Sequence, residues 1–103
     1  MPASEPVLTR NGDVLVFTGT LDRSAASTLW AQALAVLDGA RGLDLRGLDS
    51  VDTAGLALLT ELAARIRTAS GTAPTIDGEP AGLDGLRDAY RLSDSLDYRG
   101  TPT

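Results

Sequence analysis

The sequence has no cysteine and no histidine, and all 9 of its basic residues are arginine, so lysine is absent as well. Each absence removes a class of chemistry. Without cysteine there is no disulfide, no thiolate nucleophile and no cysteine metal site. Without histidine there is no Ser–His–Asp triad and no imidazole base. Without lysine there is no Schiff base and no P-loop cation. Aromatic residues make up only 4%, with Trp30 the single tryptophan. The net charge is −5, and the arginines form no cluster, which argues against a nucleic-acid partner or direct adhesion to an anionic membrane. No apolar run approaches the about 20 residues needed to cross a bilayer. The opening MPASEPVLTR lacks a basic stretch followed by an apolar one, so a cytoplasmic location is expected. Carboxylates, hydroxyls and arginines remain, and no enzyme, metal or cofactor is expected from them.

A length of 103 residues suits one domain, taken as residues 1–103 with frayed ends at 1–5 and 97–103. Its strongest pattern runs from Leu43 to Ser70 and reads as strand, turn and helix. Leu43, Leu45 and Leu48 give apolar weight, and Gly47, Asp49 and Ser50 carry turn chemistry. Asp52 or Thr53 then caps a helix beginning near Ala54. At about 100° per residue, Gly55, Leu56, Leu59, Leu62, Ala63 and Ile66 share the side expected to meet a sheet. The opposite side carries Ala54, Ala57, Glu61, Ala64, Arg65 and Thr68. Leu58 lies on the flank without an evident core role, which makes this outer surface a candidate docking face. Glu61 and Arg65 are spaced for an i,i+4 pair, and Gly71 is the expected stop.

The flanking segments complete an α/β pattern. Pro6–Arg10 and Asp13–Thr18 predict a hairpin about Asn11-Gly12, with the second strand buried on both faces. Gly19-Thr20-Leu21-Asp22 is read as a turn, and Asp22 or Ser24 as the cap of a helix running to about Asp38. In that helix Ala26, Leu29, Trp30, Ala33, Val36 and Leu37 recur at helical spacing, and Trp30 is read as a packing residue. Ala73–Asp77 predicts a short strand. Glu79-Pro80 is read as opening a last helix with an inner stripe of Leu83, Leu86, Tyr90 and Leu92, followed by a tail from Asp94 in which Leu96 tucks against the body. The order β-β-α-β-α-β-α predicts one mixed sheet with helices mainly on one face.

The central turn admits two chemical readings. Asp49 and Asp52 are too few oxygen donors for a Mg²⁺ or Ca²⁺ site, and capping or a hydrogen bond to a partner explains them better. Thr53 is either a cap or a hydroxyl open to phosphorylation, since a helix N-terminus tolerates phosphate; the cap is preferred.

The Leu-rich strand, the run Val51-Asp52-Thr53-Ala54-Gly55-Leu56 and the amphipathic helix after it resemble STAS domains, the fold of sulfate transporters and anti-sigma factor antagonists. The similarity extends over nearly the whole chain, including Gly19-Thr20-Leu21-Asp22. In the antagonists the turn typically reads Asp-Ser-Ser/Thr-Gly, and the residue before the glycine is phosphorylated by a partner kinase. Here that residue is Ala54, which cannot accept phosphate, and Thr53 sits one place earlier, about 100° around the helix. Val51 to Leu59, with Leu29-Trp30, looks more like the MlaB branch, the small STAS subunits of Mla phospholipid-transport ABC systems that maintain outer-membrane lipid asymmetry. That resemblance implies a non-catalytic subunit that binds, stabilises and activates an MlaF-like ABC ATPase and lies at the inner membrane through the transporter's permease. It also implies Asp52, Thr53, Ala54, Ala57, Leu58 and Glu61 as the partner-binding residues. The alternative implication is an anti-sigma factor antagonist that binds a GHKL serine kinase without the usual phosphosite, with Thr53 as the adjacent hydroxyl.

Overall fold

The computed structural model describes residues 6–92 and residue 96. The elements follow the expected order: β1 (Val7–Asn11), β2 (Val14–Leu21), α1 (Arg23–Val36), β3 (Gly42–Val51), α2 (Thr53–Ser70), β4 (Thr75–Asp77) and α3 (Leu83–Ala89). One four-stranded sheet runs β1-β2-β3-β4. The β1–β2 pair is antiparallel and the β2–β3 and β3–β4 pairs are parallel. The two crossovers between neighbouring parallel strands run in the same direction along the sheet, and α1 and α2 pack on each other and on β2 and β3, as two right-handed connections would place them.

Burial along β2 agrees with a one-sided cover. Leu15, Phe17 and Leu21 have no exposed surface, whereas Val14, Val16 and Thr18 are half-buried. The expectation that this strand is buried on both faces is therefore corrected: among the described residues, no helix covers the second face, and those three residues are only half-buried. The run Gly19–Leu21, expected to turn, continues the strand, and Asp22 alone makes the exit.

β3 departs furthest from its sequence pattern. It spans 10 residues and passes straight through Gly47, Asp49 and Ser50, which were expected to form a turn. Its inward residues are Leu43, Leu45, Leu48 and Val51, at spacings of two, three and three. The pairing with β2 accounts for this. Val16 and Thr18 face Asp44 and Gly47, and Gly19 and Thr20 face Leu48 and Ser50, so β3 gains an extra residue twice. Each β-bulge restores the apolar side chains to the helix-covered face after a step that would otherwise turn them outward.

The core unites these strand residues with Ala25, Leu29 and Ala33 of α1 and Leu56, Leu59, Leu62, Ala63 and Ile66 of α2. Each fully buried leucine contributes about 1.5–3 kcal/mol relative to an exposed one. Gly71 ends α2 in the left-handed conformation at φ 78°, its N–H donating to the Arg67 carbonyl at 2.8 Å. β4 covers only three residues of the expected Ala73–Asp77 strand.

The last helix also starts later than expected. Pro80 is buried before it, and Ala81 forms a parallel bridge with Ser50, its N–H donating to Asp49 and its carbonyl accepting from Val51. Strand-like pairing thus occupies the segment that proline was expected to begin as helix. Leu83 and Leu92 are buried as expected, but Tyr90 is 46% exposed and does not complete an inner stripe. Leu96 is buried as expected, while the frayed ends at 1–5 and 97–103 lie outside the described residues. Among the described residues, no helix is long and apolar enough to cross a membrane.

Candidate partner-binding surface

Two helix N-termini lie side by side where β2 and β3 end, and both are capped by aspartate. Asp22 adopts φ −103°, ψ −171° and accepts the N–H of Ala25 at 2.9 Å. Asp52 adopts φ −102°, ψ −172° and accepts the N–H of Gly55 at 2.9 Å. The strand ends hold the two caps together, because the Asp52 N–H donates to the Leu21 carbonyl at 3.2 Å. Gly55 then brings α2 down onto the end of β2, where a Cβ would collide with the Leu21 carbonyl oxygen and come within 2.9 Å of its Cγ. Glycine is required here by contact, since α2 sits too close for any side chain.

The assignment of Asp52 as the cap settles what Thr53 does in the helix. It is the first helical residue and does not cap, contrary to the preferred reading. It is exposed, and its hydroxyl has no hydrogen-bond partner among the described residues. Asp52 itself is exposed, with one carboxylate oxygen committed to the helix.

The six candidate residues do not line a single depression. Ala54, Ala57, Leu58 and Glu61 line a groove of about 710 Å³ between the two long helices, completed by Ala26, Ser27 and Trp30 of α1 and by Arg65. Thr53 faces a different hollow, about 140 Å³, shared with Leu56, Thr60, Tyr90 and Leu92. Ala57 lines both, so it marks the ridge between them. Leu58 corrects an expectation outright: it is only 4% exposed and belongs to the core. It forms the floor of the groove, because α1 covers the flank that a single-helix projection leaves open.

Trp30 is half-buried against the core, consistent with its reading as a packing residue. Arg65 reaches over it, with Cζ 5.4 Å from the ring centroid, and pairs with Glu61 through Nε–Oε2 at 3.0 Å as the spacing predicted. The contribution of Ala26, Ser27 and Trp30 had no signal in the sequence, since it depends on which faces of two helices meet. Asp49 lies in β3 and Asp52 at the cap, and among the described residues no group of three acidic side chains is gathered for a metal.

This surface is apolar and small-sided in the groove, with one ion pair at its far end and a hydroxyl on the neighbouring ridge. A family model described as "Mlab, STAS domain" matches residues 5–96. The chain is a STAS-domain protein of the MlaB-like family. The match covers the sheet, all three helices and the groove. STAS domains are in general non-catalytic regulatory or interaction modules. No curated protein matches the sequence.

Proposed function

We propose that this STAS domain is the regulatory subunit of an Mla-type phospholipid-transport system and docks onto the system's ABC ATPase through the N-terminal half of α2. The observation that carries the reading is the exposed Thr53 hydroxyl. It sits at the first helical position, relieved of capping by Asp52 and available for a directed hydrogen bond. Beside it, Ala54 and Ala57 let a partner's backbone approach closely. Binding shifts the ATPase toward its competent conformation to the extent that the domain binds that conformation more tightly. The family match to MlaB-like domains supports this partner over a kinase.

The test is Thr53→Glu. A carboxylate at the first helical position suits the helix dipole, so the fold is retained. In a docked interface it becomes a desolvated charge without a partner, and association is lost. Size-exclusion chromatography of the chain mixed with the Mla-type ATPase subunit of the same organism should show a complex for the wild type and none for Thr53→Glu, with ATP hydrolysis stimulated only by the former. Equal binding by both proteins removes Thr53 from the interface.

The alternative, a phosphate-independent anti-sigma factor antagonist, places Ala54 where a phosphosite would stand. Incubation with a GHKL serine kinase and ATP, followed by intact-mass measurement, distinguishes the two. A phosphate on Thr53 favours the antagonist.

A further inference from the structure

The groove between α1 and α2 continues beyond Arg65. On the far side lies a second hollow of about 640 Å³, lined mainly by apolar residues such as Leu34, Leu37, Ala40 and Ile66, with Asp38 and Thr68 at its polar positions. Glu61 and Arg65 line both hollows, so their ion pair marks the divide between them, and the two hollows together make a trench along the helix pair with the arginine at its middle. Its guanidinium is oriented by the Nε hydrogen bond to Glu61 and by the Trp30 ring beneath it. Among the described residues, its two Nη nitrogens make no hydrogen bond, and the side chain is 48% exposed. Arg46 and Arg10 differ. Arg46 grips both oxygens of Asp44, and Arg10 donates to the carbonyls of Gly12, Val36 and Asp38. Arg65 is held in place with its outer edge unengaged.

We propose that the trench seats an apolar helix of the partner ATPase, and that an Asp or Glu near the middle of that helix binds the outer Nη edge of Arg65. The inference rests on the functional reading above and specifies the partner's chemistry. Ala26, Ala54 and Ala57 allow a third helix to pack at the usual 8–10 Å between axes. Such a helix covers the guanidinium. Covering its Nη groups with apolar atoms alone strips water from donors that have no replacement acceptor, which is costly. A carboxylate matches the planar fork of donors and can take both Nη groups together. Glu61 remains paired with the Nε edge at 3.0 Å, so each carboxylate has its own edge of the guanidinium.

The experiment uses the full chain and the purified Mla-type ATPase subunit of the same organism, with affinity measured by isothermal titration calorimetry. R65A and R65K should both weaken binding at least about tenfold, because lysine keeps the charge but loses the fork. R65E should abolish binding, and an Asp or Glu to Arg change at one position of an ATPase helix should restore it. Circular dichroism of the isolated variants should match the wild type, since Arg65 lies outside the core. If R65A and R65K bind like the wild type while Thr53→Glu does not, or if no charge reversal rescues R65E, the Arg65 assignment is overturned and the functional reading stands. If the wild-type chain does not bind the ATPase, the functional reading fails, and this proposal fails with it.

Discussion

Gly55 rests against the carbonyl of Leu21 so closely that a Cβ at position 55 would overlap the oxygen. This contact joins the start of α2 to the end of β2 and fixes where Asp52, Thr53 and Ala54 stand relative to α1. Glycine inside a helix ordinarily costs about 1 kcal/mol relative to alanine, so Gly55→Ala would stabilise an isolated helix. In the folded domain the sign reverses. The obstacle is backbone, which cannot swing aside, and overpacking of this kind costs about 1–3 kcal/mol. Urea denaturation should place Gly55→Ala below the wild type by roughly that amount. A variant more stable than the wild type would mean that α2 does not pack this tightly on β2.

The matched caps give a second prediction. Asp22→Ala and Asp52→Ala each remove a side-chain acceptor from a helix N-terminus, and each should lower stability by about 1 kcal/mol. Asp52→Asn keeps an oxygen in place and should cost only a few tenths. If Asp52→Ala is as stable as the wild type, the hydrogen bond to Gly55 is not what holds the turn. The Asn variant also separates structure from recognition. It preserves the cap while removing the charge, so a loss of partner binding in Asp52→Asn reports on the carboxylate alone.

Much of this architecture was legible in the sequence, for physical reasons that also explain the failures. The helical spacing of Leu56, Leu59, Leu62, Ala63 and Ile66, with Gly71 closing the helix, requires nothing beyond local geometry, and it defines α2 nearly to its ends. The last part of β3 was hidden because two bulges change its inward spacing from two to three, and Gly47, Asp49 and Ser50 then look like a turn. Pro80 misled in the opposite direction. Its preference for a first helical turn yields to the pairing of Ala81 with Ser50, a contact some 30 residues distant in sequence that no local rule anticipates. Leu58 lies three residues after Gly55 and four before Leu62, so its burial is compatible with the helical period. What the sequence does not reveal is that α1 widens the buried arc of α2 beyond the sheet-facing stripe. The same pairing of helices, invisible in either helix alone, places Arg65 over Trp30.

Asp44 supports the first β3 bulge. Its carboxylate accepts the Arg46 N–H at 3.0 Å and the Arg46 guanidinium at 3.0 and 2.9 Å. The side-chain hydrogen bonds to Arg46, followed by the one to its backbone N–H, hold the Asp44 carboxyl below its ordinary value. The ionised form is therefore favoured by folding, and its contribution to stability is present above the unfolded carboxylate range near about 3.9. It is lost as the pH falls through the lowered folded value. Arg46 is largely exposed, so screening keeps the contribution of the ion pair small. Asp44→Asn should be slightly less stable than the wild type at neutral pH, and the two should converge as the solution is acidified below pH ~4. A difference that persists in strong acid would trace to packing of the side chain and not to its charge.

Ala57 and Leu58 are neighbours in sequence with opposite roles in the groove, and substitutions at the two should separate binding from folding. Leu58 is 4% exposed, so Leu58→Ala removes core packing and should cost about 2–5 kcal/mol of stability. Any loss of partner binding in that variant is confounded by unfolding. Ala57 is exposed on the ridge between the groove and the Thr53 hollow. Ala57→Glu adds bulk and a charge to that ridge without touching the core, and surface changes of this kind usually alter stability by less than about 0.5 kcal/mol. In a docked complex the same carboxylate is pressed against the partner without an acceptor's complement, and affinity for the ATPase should fall at least about tenfold. Thermal melts and titration calorimetry on the two variants should therefore give contrary results: a low melting temperature for Leu58→Ala, and a wild-type melting temperature with weak binding for Ala57→Glu. Wild-type affinity in a folded Ala57→Glu protein would move the docking face away from α2, most directly to the opposite side of the sheet around Val14, Val16 and Thr18.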